Sequence, residues 1–287
     1  MARNAGGALK QQAGGAVREA GPLVERLARL GYAAKGVVYF LVGMLALQAA
    51  VGLGGKTTDT RGALHTIAGD EAGRFVLALL AIGLAGYALW RLVQALFDPE
   101  RKAAGEGIKG VLMRVGLVIS GLAYTSLSLT AFRLVTGMRG GGDGGGGTET
   151  ATRTALSQPF GQFLVIAAGI VVIGLAGYQA YKGIKEKFKQ ELDLAAMPPA
   201  EEKAATVTGK VGLIARGVVL ALVGWFLLRA GFASDAAQAR GLDGALLSLA
   251  QQPYGQVLLG IVALGLIAYG AYCLIQARWR HVPQPSV

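Results

Sequence analysis

Ionisable and amide side chains recur at fixed spacing inside the long apolar segments of this chain. One set comes directly before a glycine near the start of alternate segments: Lys35, Ser120 and Arg216. A second set follows thirteen residues later: Gln48, Arg133 and Arg229. A third set begins the intervening segments: Arg74, Gln162 and Gln256. Charged residues within an apolar helix are functional hypotheses by default. Because these sets contain bases and amides but no acids, the chemistry that they favour is binding or passage of a small anion.

A purely structural interpretation of the same residues stays open. Arg216 and Arg229 are separated by about 19 Å of helix, so each guanidinium could reach the nearer membrane surface along its own side chain. Thirteen residues also correspond to a rotation of about 220°, which places the two arginines on different helix faces. The second and third sets are expected near the outer surface, where snorkelling and a pathway for a solute are competing explanations.

Other classes of chemistry find little support. None of the six apolar segments contains Asp or Glu, which disfavours a transporter coupled to protons or sodium. The chain has two His and one Cys, Cys273, which favours neither a metal site nor a disulfide. Gly54-Gly55-Lys56-Thr57 resembles a phosphate loop, but Ala50 stands where that motif needs its first glycine. We therefore predict no catalytic residues, no metal and no cofactor.

The apolar segments are long enough to cross a membrane. Hydrophobic residues make up 53% of the chain and charged residues 16%, whereas soluble domains carry about 25% charged residues. A bilayer core needs roughly 20 helical residues. The hydropathy pattern predicts an all-α polytopic membrane protein with six spans, at 33–53, 73–97, 112–137, 160–184, 211–232 and 255–277.

Basic residues predict the orientation of these spans. The first, third and fifth hydrophilic segments and their flanks hold sixteen Lys and Arg, and the opposite loops hold five. The positive-inside rule therefore predicts both termini in the cytoplasm of a bacterium and a multi-pass protein of its cytoplasmic membrane. The net charge of +11 flanks the spans, so we expect contact with anionic lipid at the cytoplasmic face and no binding of nucleic acid. Segment 182–194 is predicted to extend the fourth span as a helix.

Three tandem repeats organise the spans. Each odd span opens with a base, an aliphatic residue and a glycine, followed by a polar residue and a second glycine. The glycine pairs are Gly31 and Gly36, Gly116 and Gly121, and Gly212 and Gly217. Gly121 and Gly217 also begin small-xxx-small pairs with Thr125 and Ala221. Such pairs let helices approach closely, so we predict helix packing at all six glycines.

The even spans carry a second shared pattern, Gly-Leu-x-x-Tyr. It ends in Tyr87, Tyr178 and Tyr269. Together with Trp90 and Tyr181, these tyrosines are predicted to be interfacial anchors. The second repeat is out of step by three residues when Gly161 is aligned with Gly255, and the sequence alone does not resolve this register.

These two patterns, repeated three times, resemble an uncharacterised bacterial membrane family, domain of unknown function 1206. The resemblance covers about 27–280 and implies three two-span units, without any established activity. Because all three units share one orientation, they could surround a pseudo-threefold axis or form a row of hairpins.

The predicted organisation follows from the repeats. It comprises a cytoplasmic segment 1–26, repeat 1 at 27–98, a connection 99–111, repeat 2 at 112–194 with a Gly-rich outer loop 140–147, a connection 195–209, repeat 3 at 210–280 and a tail 281–287. Two functions remain in competition. One is a structural or regulatory bundle that packs against a membrane-protein partner. The other is a channel or uniport-like pathway for a small solute such as an anion.

Overall fold

The computed structural model describes residues 21–53, 57–69, 71–97, 108–138 and 147–280. Six long apolar helices have the length and composition to cross a membrane. They are α1 (Gly21–Ala50), α3 (Glu71–Phe97), α4 (Ile108–Thr136), α6 (Gly161–Ile184), α7 (Pro199–Ala233) and α9 (Gly255–Trp279). Three short helices precede the even spans: α2 (Thr60–Ile67), α5 (Gly147–Leu156) and α8 (Leu242–Ala250). The prediction of an all-α, multi-pass membrane protein is confirmed.

Several predicted features lie outside the described residues. They are the segment 1–20, the lookalike glycines and lysine at 54–56, most of the connection 99–111, nearly all of the Gly-rich loop and the tail 281–287.

The helices form a ring in which each repeat packs against the next. The even span of one repeat lies along the odd span of the following repeat, as α3 on α4, α6 on α7 and α9 on α1. The last pair joins the third repeat to the first. Within repeats, α1 packs on α3 and α7 packs on α9, but α4 and α6 do not pack along each other in their described parts. The arrangement is therefore a pseudo-threefold ring that is incomplete in its second repeat.

In repeats 1 and 3, the first glycine of the opening pattern faces the even span of its own repeat. A Cβ atom added at Gly31 would lie 2.6 Å from the Cβ atom of Tyr87, and one at Gly212 would lie 2.5 Å from the Cα atom of Tyr269. Only glycine permits this approach of two backbones. Gly116, the equivalent in repeat 2, has no such neighbour within 4 Å.

The second glycine of each pattern faces the preceding even span. A Cβ atom at Gly36 would lie 2.9 Å from the carbonyl oxygen of Gly270, and one at Gly217 would lie 3.0 Å from that of Ala176. One at Gly121 would meet the Leu92 side chain at 2.9 Å. The glycine pair thus lets α1 and α7 approach two neighbours each, and α4 one.

The side of the bundle that holds α2, α5 and α8 is called the loop side. Asp59 caps α2 by accepting a hydrogen bond from the Gly62 backbone N–H at 2.7 Å. Each short helix turns one equivalent side chain inward: Leu64, Thr152 and Leu246 are all buried. The short helices therefore follow the threefold repeat as the spans do.

A shared turn resolves the register of repeat 2. Phe160 and Tyr254 precede α6 and α9 in the left-handed conformation, with φ of 62° and 60°. The following glycines, Gly161 and Gly255, are both buried against a carbonyl oxygen of the preceding turn. Gly161 is therefore equivalent to Gly255, and the closing pattern of α6 lies three residues further along its helix.

The opposite side, which holds the start of α1 and the end of α9, is called the terminal side. The predicted helical extension through 182–194 is wrong, because α6 ends at Ile184 and Glu186 adopts φ of 52°. A 3₁₀ turn, Lys187–Glu191, follows. Its Phe188 is fully buried beside Tyr272, with ring centroids 5.3 Å apart. Burial of this aromatic ring outweighs the local preference for helix.

The fifth span begins earlier than predicted. Helix α7 starts at Pro199 instead of 211, and Pro198 precedes it in an extended conformation. Proline is tolerated at the first helical position because its missing N–H would have no partner there. The polar first turns of α7 therefore extend the span beyond its apolar part.

A tyrosine–cation cluster as the candidate functional site

Lys35 lies inside the ring. Because Gly31 and Gly36 face two different neighbouring helices, the residue before Gly36 points between them. Lys35 is 3% exposed, and its Nζ donates a hydrogen bond to the Tyr87 hydroxyl at 3.2 Å. The same Nζ lies 5.0 Å, 5.9 Å and 5.1 Å from the ring centroids of Tyr87, Tyr124 and Tyr269. Helices α3, α4 and α9 thus each supply an aromatic face to this cation.

Arg216 occupies the equivalent position in repeat 3. Its Nε donates to the Tyr39 hydroxyl at 3.3 Å, and its Cζ lies 5.6 Å and 5.1 Å from the ring centroids of Tyr39 and Tyr269. Lys35 and Arg216 therefore contact the same Tyr269 ring. Since each is 5.1 Å from that centroid, the two charged groups are at most about 10 Å apart.

Arg91 is the third cation of this region. Its Nε donates to the Tyr87 hydroxyl at 2.9 Å and its Nη1 to the Gln94 side-chain oxygen at 3.1 Å. The Tyr87 hydroxyl thus binds both the Lys35 ammonium and the Arg91 guanidinium.

Edge-to-face aromatic contacts connect these groups. Ring centroids lie 4.5 Å apart for Tyr87 and Tyr124, and 4.8 Å apart for Tyr39 and Tyr269. We call the following seven residues, from five spans, the central cluster: Lys35, Tyr39, Tyr87, Arg91, Tyr124, Arg216 and Tyr269. In the described part of α6, no residue contributes to it.

The charge of the central cluster is unbalanced. Among the residues that the structure describes, no carboxylate forms an ion pair with Lys35, Arg91 or Arg216. Desolvated charges without counterions are costly, and tyrosine hydroxyls and ring faces offset part of that cost. An arrangement of this kind can hold an anion, which would supply the missing negative charge.

The tyrosines correct one expectation. Tyr87, Tyr269 and Trp90 are 0%, 3% and 2% exposed, so the prediction that they anchor the protein at the membrane interface is wrong. Tyr178 and Tyr181 are about half exposed. Tyr39 and Tyr124, which lie at the same position in the first two opening patterns, were not singled out from the sequence. Each follows the second glycine of its pattern by three residues, and this shared position could have identified them.

The structure does not bring the predicted outer residues together. All six side chains are exposed, and no two of them share a hydrogen bond. These residues are Gln48, Arg74, Arg133, Gln162, Arg229 and Gln256. Ser120, the counterpart of Lys35 and Arg216 in α4, is half-buried and precedes Tyr124 of the central cluster by four residues. Within the described parts of the chain, no group of three potential metal ligands occurs.

Charged side chains lock the terminal side. Glu191 pairs with both Arg280 and Lys182 at 2.8 Å, and the Arg280 side chain is 3% exposed. The Arg280 guanidinium also lies 4.8 Å from the Tyr32 ring centroid. This network joins the 3₁₀ turn after α6 to the end of α9, and through Arg280 to Tyr32 on α1.

Two acids outside the spans have shifted pKa values. The hydrogen bond from Lys189, at 3.0 Å, lowers the pKa of Glu186. On the loop side, partial burial raises the pKa of Asp243, against the opposing effect of a backbone hydrogen bond. The first shift favours the charged form and the second the neutral form.

Comparisons with known proteins place the chain in a family. The profile described as Domain of Unknown Function (DUF1206) matches three times, at residues 30–98, 115–186 and 211–280. An "Uncharacterized protein YxxB" from Bacillus subtilis (strain 168) is 38% identical over 265 residues, which are 92% of this chain and 94% of the relative. No solved structure matches. The chain belongs to the DUF1206 family, and its three repeats are three copies of that domain.

Proposed function

We propose that the protein is a non-enzymatic structural or regulatory bundle that associates in the membrane through its open second repeat. One observation carries this proposal. The residues that close repeats 1 and 3 internally are present in repeat 2 but face no neighbouring helix.

The open surface is defined by α4 and α6. Gly116, Gly174 and Gly177 have no atom within 4 Å of an added Cβ, leaving aside their own helix, and Tyr178 is 50% exposed. Their counterparts Gly31 and Tyr87 lie in backbone contact. Small residues on a span permit close approach of another helix. We call this surface the repeat-2 face.

A second copy of the same chain fits the repeat-2 face. The chain itself carries both halves of the interface that repeat 2 lacks, namely the opening glycine on α4 and the closing Gly-x-x-Gly-Tyr on α6. We place the two copies around a twofold axis that runs along the membrane normal. In this arrangement α4 of each copy packs against α6 of the other. Both copies keep one orientation, and an antiparallel pair like that of α1 and α3 forms twice, with the closing pattern of α6 displaced by three residues along its helix.

The distribution of charge supports placement of the terminal side in the cytoplasm. Lys185, Lys187, Lys203 and Lys210 are exposed there, as the positive-inside rule expects. The bacterial relative is consistent with the cytoplasmic membrane as the location. These lysines would attract anionic lipid headgroups.

A continuous solute pathway is less well supported. It would need polar side chains along the ring axis from one side to the other. The outer residues are instead exposed and separate, so they do not continue the central cluster towards the loop side.

Cysteine cross-linking tests the proposal. Against a Cys273→Ala background, Gly116→Cys and Tyr178→Cys are placed in separate copies with different tags and reconstituted together in lipid. We expect oxidation to join the two tags in one disulfide-linked dimer, because the exchanged interface places these positions opposite each other. Gly116→Cys combined with Ile261→Cys, which is exposed on α9, should not cross-link.

Two results would contradict this assignment. One is the absence of a cross-link between tags in native-like lipid. The other is efficient cross-linking within a single chain that carries both cysteines, without linkage between tags, since the second repeat would then close on itself.

A further inference from the structure

We propose that the central cluster binds a phosphate-type oxyanion between Lys35 and Arg216. This site uses none of the residues of the repeat-2 face, and its binding is measured apart from the cross-link that tests the dimer. The chemistry is that of a phosphate group, whether free or carried by a lipid.

Both cations have unused hydrogen-bond donors. The Lys35 ammonium has three N–H bonds, and one is directed at the Tyr87 hydroxyl. The Arg216 guanidinium has five, and its Nε is bonded to the Tyr39 hydroxyl. Within the described residues, neither cation has a further hydrogen-bond partner. Several donors therefore remain for a ligand.

The type of donor selects the ligand. A guanidinium offers two parallel N–H bonds whose geometry matches two oxygens of a phosphate or carboxylate. The lysine adds a compact positive charge, and the hydroxyls of Tyr39 and Tyr87 lie beside the two cations. A tetrahedral oxyanion can contact both cations at once, whereas a single halide offers no pair of oxygens to the guanidinium.

Electrostatics gives the same result. Lys35, Arg91 and Arg216 place three positive charges in a region without a paired carboxylate, at the level of the apolar spans. A phosphate brings one or two negative charges. Its binding would remove the repulsion among the cations and replace lost hydration with direct hydrogen bonds.

The incomplete ring provides a route to the site. Lys35, Tyr87 and Tyr269 are buried, but Arg216, Tyr124 and Ser120 retain partial exposure. These partly exposed residues lie on α4, which borders the place where α4 and α6 fail to pack, and on α7, which packs on α6. A lipid phosphate could enter there with its acyl chains still in the bilayer, and a free phosphate could enter from water.

The full-length protein in nanodiscs of phosphatidylcholine allows the two sources to be separated. One arm adds inorganic phosphate, and the other incorporates phosphatidic acid at increasing mole fraction. Binding is measured as the rise in thermal unfolding midpoint and the change in tryptophan fluorescence, since buried Trp90 lies beside the Tyr87 part of the cluster. We expect a saturable response in one arm at least, and the responding arm identifies the source.

The variants Lys35→Met and Arg216→Met test the site. Each should weaken the response by roughly 10-fold or more, because a charge-assisted hydrogen bond is lost. Without ligand, both variants should unfold at the wild-type temperature or above it, because an unpaired buried charge has been removed. Lys35→Arg keeps the charge and should restore part of the response.

Arg229→Met is the matched control, since Arg229 is an exposed arginine on the same helix as Arg216. It should respond as the wild type does. The proposal is overturned if neither arm produces a response in the wild type, if Lys35→Met and Arg216→Met respond normally, or if Arg229→Met weakens binding equally.

Discussion

Repeats 1 and 3 are closed, whereas repeat 2 is open, although all three carry the same glycine and tyrosine patterns. In repeats 1 and 3, the odd span meets its own even span at Gly31 and Gly212. In repeat 2, each span packs instead on a neighbouring repeat, α4 on α3 and α6 on α7. The contacts between repeats are thus common to all three, and the contact within a repeat is not. The glycine pattern permits an internal interface without enforcing it.

A register shift explains part of this difference. In α6 the closing pattern lies three residues further from Gly161 than its counterpart in α9 lies from Gly255. Three residues move it by about 4.5 Å and rotate it by about 300°. Leu175 therefore stands where Tyr87 and Tyr269 stand in the other repeats, and α6 has no tyrosine at the depth of the central cluster.

The largest change in stability is expected from the segment that follows α6 in repeat 2. Phe188 is fully buried under α7 and α9, and it attaches the end of α6 to repeat 3. Replacing Phe188 with alanine should lower the free energy of unfolding by about 4 kcal/mol, because a cavity replaces the ring. Chemical unfolding in detergent measures this loss.

Phe160→Ala is the matched control, because Phe160 is 85% exposed on the loop side of the same repeat. It should change the stability in detergent by no more than about 0.5 kcal/mol. Equal losses in the two variants would show that the segment that follows α6 does not hold repeat 2 in place.

Bulky residues at the equivalent glycines test the comparison directly. Gly31→Leu should cost about 3 kcal/mol, because even its Cβ would collide with the Tyr87 backbone. Gly116→Leu should leave the stability of a single copy within about 0.5 kcal/mol of the wild type, because the space beside it is open. Thermal unfolding at low protein concentration in detergent, where single copies prevail, measures both changes in stability.

In lipid, Gly116→Leu should also abolish the cross-link between copies, since leucine blocks the repeat-2 face. A Gly116→Leu protein as unstable as Gly31→Leu under dilute conditions would mean that repeat 2 closes internally, like its neighbours.

The smallest expected change in stability comes from a residue that differs between repeats 1 and 3 on the loop side. Asp243 stands where repeat 1 has Arg61, and burial raises its folded-state pKa above the ordinary value of an aspartate. The folded state therefore binds the proton more readily than the unfolded state does. Its contribution to stability is fully present below the unfolded-state pKa and is lost as pH rises through the raised folded-state pKa.

Acidification from neutral pH should thus stabilise the wild type slightly through this group, and Asp243→Asn should remove that component. The difference between wild type and variant, followed by thermal unfolding across weakly acidic pH, isolates it from all other titrating groups. A difference that does not vary with pH would contradict the assignment to Asp243.

Much of the architecture could be predicted from the sequence. The number of spans and the all-α class depend on the length and apolarity of individual segments, which are local properties of the chain. The threefold recurrence of Gly31, Gly116 and Gly212 is likewise visible without coordinates. The central cluster was only half visible, since Lys35 and Arg216 were singled out but Tyr87 and Tyr269 were assigned to the membrane interface.

What the sequence by itself determined about this protein is therefore its six spans, its three repeats and the unusual absence of acids within the spans. The tertiary structure decided which face of each helix turns inward and which repeat stays open. It also decided that α6 ends at Ile184, with Phe188 buried in the turn that follows. Those outcomes depend on the rotation of each helix about its axis and on contacts between residues far apart in the chain. A three-residue shift changes both, while leaving hydropathy and span length almost unaltered.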